Sequence, residues 1–122
     1  MITNFEQLTH ELNEYERDIL RPLIVKGLST KIGKRQAITN KAICKAMKGA
    51  GHNLNDTRLR KIVHDIRVKG TLPFLIATSK GYYLATNRTE VAKYIKSLSE
   101  RISSINDIRQ ALIRQIDENI LV

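Results

Sequence analysis

The sequence predicts a mainly α-helical chain with one small β-hairpin and a long C-terminal helix. Three observations lead there. Apolar residues recur at spacings of three and four through most of the 122 positions, the period of helices packed on one face. That period gives way to strand-like runs only in Leu72-Pro73-Phe74-Leu75-Ile76-Ala77 and Tyr82-Tyr83-Leu84-Ala85. From Val91 onward a single apolar seam continues almost to the C-terminus.

Taken in order, Thr3 with Glu6 three residues on reads as a capping box opening a first helix. Phe5, Leu8, Leu12, Tyr15, Ile19 and Leu23 give that helix one apolar stripe. Pro22 lacks an N–H and crowds the preceding turn, so a kink or break is expected there, with Gly27 ending the second piece. Residues 29–37 are basic and aperiodic, a loop with room for a short strand at Ala37-Ile38. Thr39 or Asn40 then caps a helix whose inner face is Ile43, Ala46 and Met47, stopped by Gly49, Ala50 and Gly51. Asn55 or Asp56 caps the next, with Leu59, Ile62, Val63 and Ile66 inward and Gly70 at its end. The two short helices form a helix-turn-helix candidate. Thr78-Ser79-Lys80-Gly81 closes the hairpin, Gly81 supplying positive φ. Asn87 with Glu90 starts the final helix, expected to reach about Ile120. Its seam is Val91, Ile95, Leu98, Ile102, Ile105, Leu112 and Ile116, broken only at Arg109 and coiled-coil-like in spacing. The expected divisions are an N-terminal helical part at 1–27, a core at 28–87 and a dimerisation helix at 88–122.

Charge is distributed unevenly. Fifteen of the 21 Lys and Arg lie between Arg21 and Arg88 beside only Asp56 and Asp65, so that stretch carries +13, against a net +9 for the whole chain. The first twenty residues are acidic and the last thirty-four are balanced. Positive charge concentrated this way repels itself on folding and suits a polyanion, whose condensed counterions are released on binding. Aromatics make up only 5% and Trp is absent, which leaves little material for a base-stacking surface. The acidic, amphipathic start MITNFEQLTHEL is unlike a signal peptide, and the apolar runs are too short to span a bilayer, so no membrane partner is expected. The single Cys44 excludes an internal disulfide and fits a reducing cytoplasm. His10, His52 and His64 lack ligand spacing, and no nucleophile motif or phosphate loop occurs. Neither a metal, a cofactor nor a small-molecule substrate is expected, and the chain does not read as an enzyme.

A hairpin following a helix-turn-helix is the order of a winged helix. At these elements the sequence resembles the winged helix-turn-helix superfamily, in particular the N-terminal domain of biotin operon repressor-type proteins. There the recognition helix ends in an I-x-x-L-R-x-x-G run and the wing closes with G-[KR]-G-Y-x-L. The matching stretches are Ile62-Val63-His64-Asp65-Ile66-Arg67-Val68-Lys69-Gly70, with Ile66 for Leu, and Ser79-Lys80-Gly81-Tyr82-Tyr83-Leu84. Similar SKGYYL wings before a long helix resemble small phage and mobile-element winged-helix proteins. The resemblance spans about residues 38–86. The ligase and effector domains of the biotin repressors have no counterpart, so no corepressor is implied.

On a helical wheel Leu59, Val63 and Ile66 face inward, leaving Thr57, Arg60, Lys61, His64 and Val68 outward with Arg58 and Arg67 flanking. The N-terminal half of a recognition helix enters the major groove, so Thr57, Arg58, Lys61 and His64 are the expected base readers. Arg60 and Arg67 suit phosphates, as do Lys31, Lys34, Arg35 and Lys41 around the preceding helix. By the resemblance, Lys80 corresponds to the basic wing residue that reaches the minor groove. The bland alternative for each is a solvated surface charge. The expected function is a dimeric, sequence-specific double-stranded DNA-binding protein of a bacterium, phage or mobile element, most simply a transcriptional regulator. The alternatives are a winged-helix interaction or assembly adaptor and a replication or origin-binding protein.

Overall fold

The computed structural model describes residues 11–119. The expected Thr3–Glu6 cap, with Phe5 and Leu8, lies outside them. The chain divides into two compact units, one up to Thr86 and one from Asn87.

The first helix opens at Asn13. Its side-chain oxygen accepts the Glu16 N–H, and Glu16 Oε1 accepts the Asn13 N–H, each at 2.9 Å. This reciprocal cap satisfies two amides that a helix start leaves without partners. Helix α1 is wound as a π turn over Glu16–Leu20 and as an α-helix over Arg21–Leu28. The expected break at Pro22 does not occur. Pro22 falls just after the wider π turn, at the start of the α-wound part. Gly27 stays inside the helix and Leu28 is its last residue.

The expected stripe on this helix is displaced by one residue. Glu16, Leu20, Ile24 and Leu28 are buried, whereas Tyr15, Ile19 and Leu23 are 38%, 43% and 41% exposed. The π turn changes the phase of the helix, and a charged residue, Glu16, occupies the inner row that periodicity reserves for apolar ones.

Helix α2 spans Asn40–Gly49 and begins where the Thr39 hydroxyl accepts the Ala42 N–H. Ile43 and Met47 are buried as expected, but Ala46 is exposed. Helix α3 spans Asp56–Lys69, with the Asn55 side chain accepting the Arg58 N–H at 2.8 Å. It ends at Gly70, whose φ of 69° is left-handed. Leu59, Ile62, Val63 and Ile66 are all buried, matching the expected inner face.

Strand β1 (Leu75–Thr78) pairs antiparallel with β2 (Gly81–Leu84), setting Leu75 opposite Leu84 and Thr78 opposite Gly81. Gly81 has φ of +120°, and a Cβ there would come within 2.3 Å of the Ile38 carbonyl oxygen. Only glycine lets the two backbones approach so closely. Residues 29–37 are therefore more ordered than their composition suggests. Ile38 exchanges backbone hydrogen bonds with Tyr82, and Gly33 and Lys31 bond both sides of Leu84, with a 3₁₀ turn at Lys34–Gln36 between them. The segment lies along the edge of β2 away from β1 and gives that strand a second partner.

The core joins Leu20, Ile24 and Leu28 of α1 with Ile43 and Met47 of α2, Leu59 to Ile66 of α3, and Leu72, Leu75 and Tyr82. No packing boundary falls at residue 27, because α1 supplies part of the same core. In the second unit, helix α4 covers Arg88–Glu118, 31 residues, and starts with the Asn87 side chain accepting the Glu90 N–H. At 1.5 Å per residue it is about 46 Å long. None of its residues is buried, and Ile95, Ile102, Ile105, Leu112 and Ile116 are each more than half exposed. Among the described residues no helix is long and apolar enough to cross a membrane.

Candidate nucleic-acid interface

The expected DNA-contacting residues separate into three groups. Thr57, Arg60 and His64 of α3 are exposed, as are Lys34 and Arg35 on the 3₁₀ turn, Lys41 at the second position of α2 and Lys80 at the hairpin tip. Arg67 is half-buried. Arg58 and Lys61 form the third group: both are half-buried, Arg58 flanking as the wheel has it and Lys61 less outward than the wheel has it.

Both are drawn onto the buried carboxylate of Glu16. Lys61 Nζ lies 2.7 Å from Oε1 and Arg58 Nε 2.9 Å from Oε2. Arg58 is held further by a hydrogen bond to the Asn53 carbonyl and by its guanidinium stacking 5.2 Å from the Tyr15 ring centre. Burial pushes the Glu16 carboxyl up, but the hydrogen bonds from Lys61, the Asn13 amide and Arg58 outweigh it and lower its pKa. The carboxylate is thus ionised at neutral pH. These two cations join α3 to α1.

Asp65 does the same on the next turn. It accepts from Arg21 at 2.7 Å and from Lys69 at 2.8 Å. Burial raises its pKa, and the bonds from Lys69 and Arg21 more than reverse that. Asp56 reaches Arg60 at 3.6 Å, an exposed pair of little energetic weight. Both acids of the basic stretch are therefore occupied. Lys34, Arg35, Lys41, Lys45, Lys48 and Lys80 have no acidic partner among the described residues.

Tyr82 is a buried residue of β2. Burial raises its hydroxyl pKa, and the nearby Asp56 carboxylate adds to this, while the Asn40 side chain at the start of α2 and the charges of Arg60 and Arg67 on α3 reverse only part of it. Periodicity had marked Tyr82 only as a strand residue.

Phe74 was likewise read only as part of an apolar run. It is 66% exposed and lines an open groove of about 400 Å³ with His64, Arg67, Val68 and Leu75. Cys44 packs half-buried against the core, and burial pushes its thiol pKa up, so it is protonated at neutral pH. Among the described residues, no group of three or more His, Cys, Asp and Glu is placed to hold a metal ion.

Comparison with known protein families, with curated proteins and with solved structures found no match to this chain. The class that fold and surface define is therefore a small, mainly helical basic domain with a two-stranded hairpin and a long C-terminal helix.

Proposed function

We propose that this protein binds double-stranded DNA sequence-specifically, as a dimeric transcriptional regulator of winged helix-turn-helix type. The observation that carries the reading is the charge pattern. The stretch from Arg21 to Arg88 carries +13, and its exposed Lys34, Arg35, Lys41, Lys45, Lys48 and Lys80 have no acidic partner among the described residues. Such a surface offers a phosphate backbone several cations.

In this arrangement α3 enters the major groove with Thr57 and His64 toward base edges and Arg60 toward phosphate. Lys34, Arg35 and Lys41 hold the backbone beside it, and Lys80 extends from the hairpin tip toward the neighbouring groove. Arg58 and Lys61 fix the angle of α3 instead of reading bases. The apolar seam of α4, from Val91 to Ile116, pairs with that of a second copy, and the two-fold axis calls for a pseudo-palindromic site.

Fluorescence anisotropy over a salt series, followed by selection from random duplexes, tests this. With about six phosphates contacted, the log–log slope is about −5 per protomer. A flat salt response excludes DNA binding. Binding without an enriched sequence removes the regulator and leaves an architectural role.

A further inference from the structure

Among the described residues, Phe74 alone is a non-glycine residue with positive φ, at 63°. It follows Pro73, and proline followed by positive φ is the order of a type II turn, whose second central position favours Gly or Asn. A bulky aromatic held there costs on the order of 1–3 kcal/mol of strain. Burial does not offset that cost, since the ring is 66% exposed. Val68 beside it is 72% exposed, the most open of the large apolar residues among those described. The Phe74 backbone serves the hairpin by accepting the Ala85 N–H at 3.0 Å, but most of both side chains stays in contact with solvent.

Both side chains line the same groove as His64 and Arg67, on the side of α3 that the DNA-binding reading sets against the duplex. Cationic and imidazole groups account for phosphate and base-edge contact there, but not for two exposed apolar side chains between them. In the major groove, the apolar group that distinguishes one base from the others is the thymine C5 methyl. We propose that Phe74 and Val68 form a thymine-reading contact, closing on one or two methyl groups while His64 and Arg67 hold the adjoining polar edge and backbone. This rests on the DNA-binding reading and adds to it a specificity determinant shared between Val68 of α3 and Phe74 beyond the end of that helix.

The test uses the full chain and the duplex obtained by selection. Each thymine is replaced singly by deoxyuridine, which removes only the methyl. The wild type should lose about three- to fivefold in affinity at one or two positions, the equivalent of one buried methyl. Phe74→Ala should bind thymine and uracil duplexes alike, with an unchanged salt slope. Phe74→Gly should do the same while unfolding at a higher denaturant concentration than Phe74→Ala, which separates loss of reading from loss of fold. Full methyl dependence in both variants overturns the assignment and gives the patch to a protein partner. Uracil tolerance at every position in the wild type overturns it as well, with DNA binding itself left standing. Failure of the wild type to bind or select any duplex removes both readings together.

Discussion

Lys61 Nζ lies 2.7 Å from Glu16 Oε1, which makes a lysine on the basic helix a structural link to the first helix. Glu16 holds Arg58 from its other oxygen. Breaking a buried pair leaves charge without compensation and costs more than the pair contributes net. Lys61 and Arg58 side chains remain 22% and 26% exposed, so water can recover part of that cost. Glu16→Gln should therefore lower stability by about 1–3 kcal/mol. Chemical denaturation measures it, and an unchanged midpoint would show that the link contributes nothing.

Acid sensitivity follows from the same geometry. Glu16 and Asp65 both have folded pKa values below their ordinary ones. A depressed carboxylate contributes stability that is fully present above its unfolded pKa and is lost as pH falls through the folded value. Stability should thus hold at neutral pH and decline below the usual carboxylate range. The double variant Glu16→Gln/Asp65→Asn should be less stable at neutral pH and show a shallower acid decline, read from denaturation midpoints across pH.

Gly81 offers a sharper test of how the hairpin is seated. In Gly81→Ala the new Cβ would lie 2.3 Å from the Ile38 carbonyl oxygen, with the backbone at φ of +120°. The two backbones must separate, at a cost on the order of 3 kcal/mol. Thermal unfolding should show a drop of several degrees. A neutral result would mean that the Ile38–Tyr82 bridge is dispensable.

Phosphate anchors should behave differently from the Glu16 partners. Lys34→Ala and Arg35→Ala remove exposed cations with no acidic partner among the described residues. Each should weaken binding to all duplexes alike and reduce the salt slope by about one, without altering stability. Arg58→Ala should destabilise the fold first. If all three variants leave stability unchanged and weaken binding equally, the structural role of Arg58 is wrong.

The long helix should decide oligomeric state. Replacing Leu98 and Ile105 with Lys puts two charges into the α4 seam, and a dimer built on it should dissociate. Analytical ultracentrifugation should show a wild-type dimer at tens of micromolar and a monomeric variant with the first unit still folded. A monomeric wild type would direct the seam to a different protein.

Local signals in the sequence were reliable where one residue type has one job. Thr39, Asn55 and Asn87 cap the helices expected of them, Gly70 ends α3, and Gly81 takes the positive φ required by the hairpin. Leu59, Ile62, Val63 and Ile66 follow helical period into the core. Periodicity misjudged α1 because a π turn shifts its phase and because the buried row includes Glu16, whose partners lie far along the chain. For the same reason Lys61 reads as outward-facing: a wheel contains one helix and cannot register a carboxylate from another. The short strand allowed at Ala37-Ile38 appears as the Ile38–Tyr82 bridge, whereas the bonds of Lys31 and Gly33 to Leu84 were hidden, since they are made by backbone and leave no side-chain pattern.

The bridge between Ile38 and Tyr82 also sets a timetable for biosynthesis. The segment before α2 finds its strand partner only after Leu84 has been translated and has cleared the ribosomal exit tunnel. Until then the nascent chain exposes most of its lysines and arginines on unfinished structure, surrounded by ribosomal RNA. Completion of the hairpin edge is thus the step that converts a loose polycation into a surface of defined shape, and it comes late, after synthesis has moved on into the long helix.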